Sequence, residues 1–173
     1  MVLQTARLKI RYIEPDDWNA LIEIWRDFDR SAFAKYDAPH SLDEAEVKEK
    51  VKCWAEVSPQ KEHMFFAVCD QNGMLGTIDF HKNDGGYECG YCFHSKFHGM
   101  GYARESMQML LEWLSGDGGK RFVARTALNN LPSVKLLASL GFQKAGEERV
   151  SFYQDETGAD IYFDGGIFMM DTG

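Results

Sequence analysis

The most constraining feature of the sequence is a series of three strand patterns that leads through a glycine loop into an amphipathic helix. The first two lie between residues 64 and 81, and Asp70-Gln71-Asn72-Gly73 between them ends in the Asn-Gly pair typical of a β-hairpin. Asn83-Asp84-Gly85-Gly86 turns the chain into a third strand over 87–94. Apolar residues then recur at helical spacing over 102–115. This order predicts a sheet flanked by helices.

The remaining patterns extend this alternation of strands and helices. Further strands are expected over 7–13, 121–127, 142–154 and 161–170. Further helices are expected from Pro15 to Phe28, from a capping box at Ser41-Leu42-Asp43-Glu44 to Val57, and from Pro132 to Leu140. A hairpin meander followed by a strand-helix-strand unit predicts a mixed α/β (α+β) sheet in a single domain over 1–173.

Composition narrows the class of protein. Hydrophobic residues make up 45% and charged residues 27% of the chain, as in soluble globular proteins. The net charge of −8 argues against nucleic-acid binding, which needs clustered cations. No apolar run is long enough to span a membrane, and the first residues lack the apolar core of a signal peptide. A cytoplasmic protein with reduced cysteines is therefore expected.

Cys89-Gly90-Tyr91-Cys92 has redox spacing, but the pattern around it is that of a strand. Residues three apart on a strand face opposite sides and lie roughly 10 Å apart. A disulfide needs Cα atoms within about 7 Å. The two cysteines are therefore interpreted as small core residues.

The same segment does not have the spacing of a metal site. Only Phe93 separates Cys92 from His94, whereas zinc modules with two cysteines and two histidines place about a dozen residues between the pairs. The other histidines form no ligand cluster in the sequence. No metal is expected.

Gly99-Met100-Gly101, by contrast, fits an anion-binding loop. It lies between a strand and a helix whose first backbone N–H groups have no helical partner. Lys96 and Arg104 could add positive charge at its rim. A dinucleotide site is not expected, because Arg104 replaces the third small residue of that fingerprint and the strand over 121–127 carries no acid.

The loop and its surroundings resemble the GNAT N-acetyltransferases. Residues 96–103 (KFHGMGYA) are similar to the family's pyrophosphate loop, with Lys96 where Gln or Arg is usual. Asn130-Leu131-Pro132-Ser133 with Gly141-Phe142 resembles the family's Asn-x-x-Ser…Gly-Phe segment. Glu88-Cys89-Gly90-Tyr91 resembles the strand before the loop. Thr5-Ala6-Arg7-Leu8 resembles the start of the branch that contains the ribosomal-protein N-terminal acetyltransferases.

This resemblance implies a mostly antiparallel sheet with about four helices, splayed where acetyl-CoA binds as cosubstrate. The pantetheine would lie between the strands over 87–94 and 121–127 like an added strand. The pyrophosphate would rest on the loop amides, and an amide from Tyr91 to Phe93 would stabilise the oxyanion. The cofactor-binding residues expected on this basis are Tyr91, Cys92, Phe93, Lys96, His98, Gly99, Met100, Gly101, Tyr102, Ala103, Arg104, Asn130 and Ser133.

The resemblance also suggests candidate catalytic residues, each with a structural alternative. Glu88 is the preferred base, acting through water, but it could equally be a solvated strand carboxylate or form a cross-strand ion pair. Asp79 is the other candidate base, and it would alternatively bind the substrate cation or face water. Ser133 is the first candidate for the acid that reprotonates the thiolate, or else a helix-capping residue. Tyr91 is the second candidate acid, or else a packing residue.

The implied activity is transfer of an acetyl group from acetyl-CoA to a primary amine by direct attack in a ternary complex. The acceptor would be a protein N-terminus or a small-molecule amine. Neither nucleic acid nor membrane is expected as a partner, and the many dimers in this fold make a homodimer compatible with it. The alternative is a non-catalytic acyl-CoA-binding or regulatory module.

Overall fold

The computed structural model describes residues 1–172 and contains one eight-stranded sheet with four α-helices. The strands are β1 (Val2–Gln4), β2 (Lys9–Tyr12), β3 (His63–Asp70), β4 (Gly73–Asn83), β5 (Gly86–Phe93), β6 (Arg121–Ala127), β7 (Gln143–Gln154) and β8 (Asp160–Asp171). The helices are α1 (Trp18–Asp29), α2 (Glu44–Val57), α3 (Tyr102–Gly116) and α4 (Leu131–Ser139).

The order of strands across the sheet is β1-β2-β3-β4-β5-β6-β8-β7. Every neighbouring pair is antiparallel except β5 and β6, which run parallel. The parallel pair follows from the connection, because α3 must carry the chain back along the sheet before β6 can begin. The predicted mixed, mostly antiparallel sheet with about four helices is confirmed.

Two hydrophobic clusters cover the two faces of the sheet. The larger cluster joins alternate side chains of the central strands, such as Phe66, Phe80 and Phe122, to α3 and α4. The smaller cluster joins α1 and α2 to the other face, where Phe65 stacks on Trp54 with ring centroids 4.2 Å apart. The two faces are named below the α3–α4 face and the α1–α2 face.

Two of the predicted boundaries are wrong, each for a local reason. The strand expected over 7–13 begins only at Lys9, because Thr5 to Leu8 form the turn between β2 and the three-residue strand β1, which the patterns did not reveal. The capping box expected at Ser41 is also displaced. Asp43 is the N-cap of α2, and its carboxylate accepts a 3.0 Å bond from the Glu46 N–H. Ser41 instead donates to the Glu46 side chain.

The β4–β5 turn brings the parallel strands together at Gly86. Its φ of +154° is unfavourable for residues with a side chain, and a Cβ built there would lie 2.0 Å from the Arg121 carbonyl oxygen. Neighbouring Gly85 has no such restriction, since its nearest atoms would be 3.9 Å from an added Cβ. Glycine at 86 is therefore required where β5 first meets β6.

We expect Gly86→Ala to lower the free energy of unfolding by about 2 kcal/mol or more, because it adds both backbone strain and a backbone clash. Gly85→Ala is the matched control and should change that free energy by less than about 0.5 kcal/mol. Urea unfolding followed by tryptophan fluorescence measures both. Equal stability of the two variants would contradict the close approach of the strands.

Candidate active site

The parallel pairing of β5 with β6 stops after three residue pairs. The paired residues are Tyr87 with Phe122, Glu88 with Val123, and Cys89 with Ala124. From Gly90 onward β5 remains paired with β4 on one side only. The predicted splay is thus confirmed, and it leaves a gap that starts at Gly90.

The backbone of β5 presents polar groups to this gap. His94 N–H donates to Leu75 O on the β4 side at 3.1 Å. Because bonding directions alternate along an antiparallel ladder, the backbone groups of Tyr91 and Phe93 point to the opposite side, toward the gap. The Phe93 carbonyl accepts a 2.9 Å bond from His98 Nε2, so His98 is held against the end of the strand. The Tyr91 amide and carbonyl therefore lie at the open edge.

The glycine loop follows this strand and adopts a conformation that glycine favours. Gly99 and Gly101 have φ values of +75° and +79°, in the left-handed region. The first bond of α3 runs from Glu105 N–H to Gly101 O at 3.0 Å. The N–H groups of residues 102–104 therefore precede the helical ladder and are available to an anion.

Four other predicted cofactor residues lie in the loop or next to it in the chain. Lys96 Nζ lies 4.7 Å from the centre of the Phe97 ring, and Met100 is exposed. Arg104, in the first turn of α3, lines a cavity of about 480 Å³ between α3, α4 and β8. Ala103 packs at the margin of the α3–α4 core. A lysine therefore precedes the loop in the chain and an arginine follows it.

Tyr91 and Ser133, the two candidate acids, bond directly to each other. Their hydroxyl oxygens are 2.6 Å apart. Ser133 lies in the first turn of α4, where its N–H donates to the Asn130 side chain at 3.3 Å. Burial raises the pKa of Tyr91 well above its usual value, and the bond with Ser133 offsets only part of that effect. The Tyr91 hydroxyl therefore keeps its proton and can donate it.

Asp79 and its neighbours lie on the α1–α2 face, opposite Tyr91. The Asp79 carboxylate occupies the space that a Cβ at Gly90 would fill, with one oxygen 2.8 Å from that position. His81 Nε2 is 3.1 Å from Asp79 Oδ2, and His81 Nδ1 is 3.0 Å from His63 Nδ1. Glycine at 90 therefore lets a carboxylate reach the start of the gap.

The pKa of His81 is raised by its hydrogen bond to Asp79, against the lowering effect of burial, and the charges of Asp79 and Glu88 raise it further. Protonated His81 therefore stabilises the folded chain. That stabilisation is complete below the usual histidine pKa and is lost as pH rises through the raised value. Sequence reasoning did not single out this histidine, because its role follows from strand register.

Glu88, the preferred base, is held in an ion pair. Arg125 Nε lies 3.1 Å from its carboxylate, and Arg125 Nη1 lies 3.1 Å from Glu148. The Glu88 side chain is 40% exposed. The predicted structural alternative, a cross-strand ion pair, is therefore present, and Glu88 also remains accessible from the α1–α2 face.

The rim of this face combines two segments that are distant in the sequence. Tyr36, between α1 and α2, packs edge-on against Phe163 of β8 with ring centroids 5.2 Å apart. Tyr153 of β7 donates from its hydroxyl to Ala34 O at 3.3 Å. Next to this contact, burial raises the pKa of Asp37, and the hydrogen bond from the Ala38 N–H and the charge of His40 offset only part of that effect. The contact between the two segments was not predicted, because no local pattern connects a loop to a hairpin more than 100 residues away.

The two cysteines of the Cys-x-x-Cys stretch lie on opposite faces, as their spacing predicted. Cys89 belongs to the α3–α4 core, and Cys92 packs against the α1–α2 cluster. Burial raises the pKa of both thiols, that of Cys92 to about 12. Neither thiol is therefore ionised near neutral pH. A nucleophilic or redox-active thiol would be ionised there.

Within residues 1–172, histidine, cysteine, aspartate and glutamate side chains form no group of three or more suited to a metal ion. None of the helices in this described part combines the length and apolar content that a membrane crossing requires.

Comparison with solved structures shows the fold in other proteins. A Salmonella typhimurium acetyltransferase that modifies the N-terminal serine of ribosomal protein L7/L12 has a TM-score of 0.85 at 17% identity, with all of both chains covered. RimL, the ribosomal L7/L12 α-N-protein acetyltransferase, was solved in complex with coenzyme A. It gives a TM-score of 0.84 at 18% identity, covering 99% of this chain and 98% of RimL.

Sequence comparison shows the family. The uncharacterized N-acetyltransferase p20 of Bacillus licheniformis is 28% identical over 150 residues, which cover 83% of each chain. Residues 7–143 match the family model described as an acetyltransferase (GNAT) domain. This match spans well over half of the chain and contains β2 to β6, the gap and the glycine loop described above. The chain therefore belongs to the GNAT acetyltransferase family and is an acetyl-CoA-dependent N-acetyltransferase.

Proposed function

We propose that this enzyme acetylates the α-amine of a peptide or protein N-terminus by direct transfer. The observation that carries the proposal is the gap beside β5, which opens at Gly90 between two chemically different faces. Carboxylates approach it from the α1–α2 face, and the Tyr91–Ser133 hydroxyl pair lies on the α3–α4 face. An amine and an acyl donor could thus meet in the gap from opposite sides of the sheet.

The residues around the gap fit acetyl-CoA. The unpaired edge of β5 from Gly90 offers backbone groups to the amides of pantetheine. The left-handed loop at Gly99 and Gly101, followed by the first N–H groups of α3, suits a pyrophosphate. Lys96, His98, Met100, Tyr102, Ala103, Arg104 and Asn130 would complete the binding surface, with Cys92 and Phe93 on the strand. When bound, acetyl-CoA supplies an acetyl group on a thioester sulfur.

Different residues of the chain would then stabilise the oxyanion, accept the amine proton and protonate the leaving thiolate. The Tyr91 and Phe93 amides, which face the gap, donate to the carbonyl oxygen on which negative charge develops. Glu88 accepts the amine proton, directly or through water, and Asp79 attracts the cationic form of the amine. Tyr91 gives its hydroxyl proton to the departing sulfur, and Ser133 holds that hydroxyl in place through the 2.6 Å bond.

The ion pair at Glu88 favours an acceptor that needs little help from a base. At pH 7, deprotonating a lysine-type amine with a pKa of about 10.4 costs roughly 4.6 kcal/mol. Deprotonating an α-amine with a pKa near 7.8 costs only about 1 kcal/mol. Arg125 competes with the amine for the Glu88 carboxylate. An α-amine is therefore the more suitable acceptor, because it depends less on a base. The Salmonella protein of the same fold also acts on an N-terminal serine, which supports testing N-termini first.

We expect release of free thiol from acetyl-CoA to depend on a peptide with a free N-terminal serine or alanine. The same peptide with a blocked N-terminus and one lysine should react at least about tenfold more slowly, because its amine is almost fully protonated. Spermidine represents the small-molecule amines. Faster reaction with spermidine than with the free peptide would overturn the choice of acceptor while retaining the activity.

None of the comparisons favours the non-catalytic alternative.

Glu88→Gln should lower kcat/KM for the reactive peptide roughly 100-fold if Glu88 is the base. Glu148→Gln is the matched control, because it removes the other carboxylate on Arg125, also at 3.1 Å, and leaves Glu88 in place. The control should retain its rate within about threefold, since exposed ion pairs contribute little. Similar losses in the two variants would show that the ion-pair network matters and that Glu88 has no special role.

Tyr91→Phe and Ser133→Ala should each lower kcat, and the double variant should lose no more than the more impaired single one. The reason is that the two hydroxyls act as one proton-donating unit, and residues of one unit are not additive. Steady-state rates of thiol release measure the effect, with thermal unfolding as a check on folding. Losses that multiply in the double variant would mean that the hydroxyls act independently.

A further inference from the structure

The turn Thr5-Ala6-Arg7-Leu8 places an arginine beside the glycine loop. Thr5 N–H donates to Leu8 O at 2.9 Å, and Leu8 N–H donates to Thr5 Oγ1 at 2.9 Å. Leu8 is only 2% exposed and anchors the turn in the α3–α4 core. The Arg7 side chain therefore leaves the backbone from a fixed position.

Arg7 contacts three residues in and after the loop. Its Nη1 donates to the Met100 carbonyl at 3.0 Å. Its Nε and Nη2 donate to Glu105 Oε2 at 2.9 and 2.6 Å. Its guanidinium carbon lies 4.5 Å from the centre of the Tyr102 ring. The planar fork of an arginine can make all these contacts at once, which a lysine cannot do.

The contact with Met100 fixes the direction of a loop amide. The peptide unit between Met100 and Gly101 is planar and trans, so its C=O and N–H point in opposite directions. Because Arg7 holds the carbonyl oxygen, the Gly101 N–H must point away from Arg7. Gly101 is the N-cap of α3 in the left-handed conformation, a geometry that a peptide flip would destroy. The arginine thus orients an amide at the anion-binding end of the helix.

The contact with Glu105 removes an unfavourable charge. Glu105 lies in the first turn of α3, where a bare carboxylate would repel a pyrophosphate. Burial alone would raise its pKa, but hydrogen bonds from Thr5 and Arg7 outweigh burial and lower the pKa. The carboxylate is therefore ionised and needs the adjacent guanidinium as its counter-charge.

We propose that Arg7 is a positioning residue for acyl-CoA binding, which holds the Met100–Gly101 peptide in the anion-accepting orientation and neutralises Glu105. The proposal rests on the proposed function, because it takes the loop as the pyrophosphate site. Arg7 acts through the loop on the phosphates and leaves the chemistry at Tyr91 and Glu88 untouched. Its loss should therefore weaken binding of the phosphate-bearing part of the cosubstrate alone.

The test compares CoA, measured by calorimetry, with S-acetylpantetheine, which lacks phosphate and is measured by NMR titration. Arg7→Ala should raise the Kd for CoA roughly 10- to 100-fold, the range expected for lost charge-assisted hydrogen bonds. Its affinity for S-acetylpantetheine should stay within about twofold. Arg7→Lys should give an intermediate loss. Adding Glu105→Gln to Arg7→Ala should recover part of the CoA affinity, because the uncompensated carboxylate is then gone.

The outcomes separate this proposal from the proposed function. A wild-type chain that fails to bind CoA would overturn the assignment of the loop, and the role of Arg7 with it. Wild-type binding that Arg7→Ala leaves unchanged would overturn the role of Arg7 alone. Equal losses for CoA and S-acetylpantetheine would show a general disturbance of the fold and would also overturn it. If Glu105→Gln does not restore CoA affinity to the Arg7→Ala variant, the proposed neutralisation of Glu105 by Arg7 is overturned.

Discussion

The short parallel contact between β5 and β6 is the constraint on which the site depends. β4 pairs with β5 along its length, and β8 pairs with β6 along its length. Each of the two central strands therefore has only one free edge, and both free edges face the gap beyond Cys89. Backbone polar groups need partners, so an edge in the middle of a sheet must be solvated or completed by a ligand. Glycine at 86 permits the close contact from which the strands diverge.

Alternation along β5 separates the proposed base from the proposed acid. Glu88 lies on the α1–α2 face and Tyr91 on the α3–α4 face, because residues three apart on a strand point to opposite sides. The proposed proton acceptor and the proposed proton donor are thereby kept on opposite faces of one strand. The same alternation separates Cys89 from Cys92, so one geometric rule explains both the candidate catalytic arrangement and the absence of a redox pair.

The parts of the fold that local chemistry encodes could be predicted from the sequence. The Asn-Gly turn, the glycine loop and the strand over 121–127 were expected where the structure has them. β1 could not be predicted, because a three-residue strand carries no periodicity. The cap of α2 was expected at Ser41 but lies at Asp43, because the backbone geometry at the helix start decides which side chain accepts the Glu46 N–H.

The candidate site was predictable as a set of residues but not as a set of contacts. Tyr91 and Ser133 were both singled out, whereas their mutual bond depends on how α4 packs beside β5. The ion pair of Glu88 with Arg125 depends on the register of parallel strands. The pairing of Arg7 with Glu105 joins positions 98 residues apart. Such contacts are products of tertiary packing, which one-dimensional patterns do not specify.

The contact between the α1–α2 connection and the β7–β8 hairpin has an evolutionary consequence. Tyr36 and Phe163 lie at the rim of the α1–α2 face, from which the acceptor is proposed to enter, yet neither lies in the strand, loop or helix start proposed to bind acetyl-CoA. Both belong to surface segments, and loops and hairpin ends tolerate changes in length and sequence better than the elements they connect. On the proposed assignment, a new acceptor could be accommodated by remodelling two peripheral segments, while the residues proposed to bind the acyl donor stay unchanged.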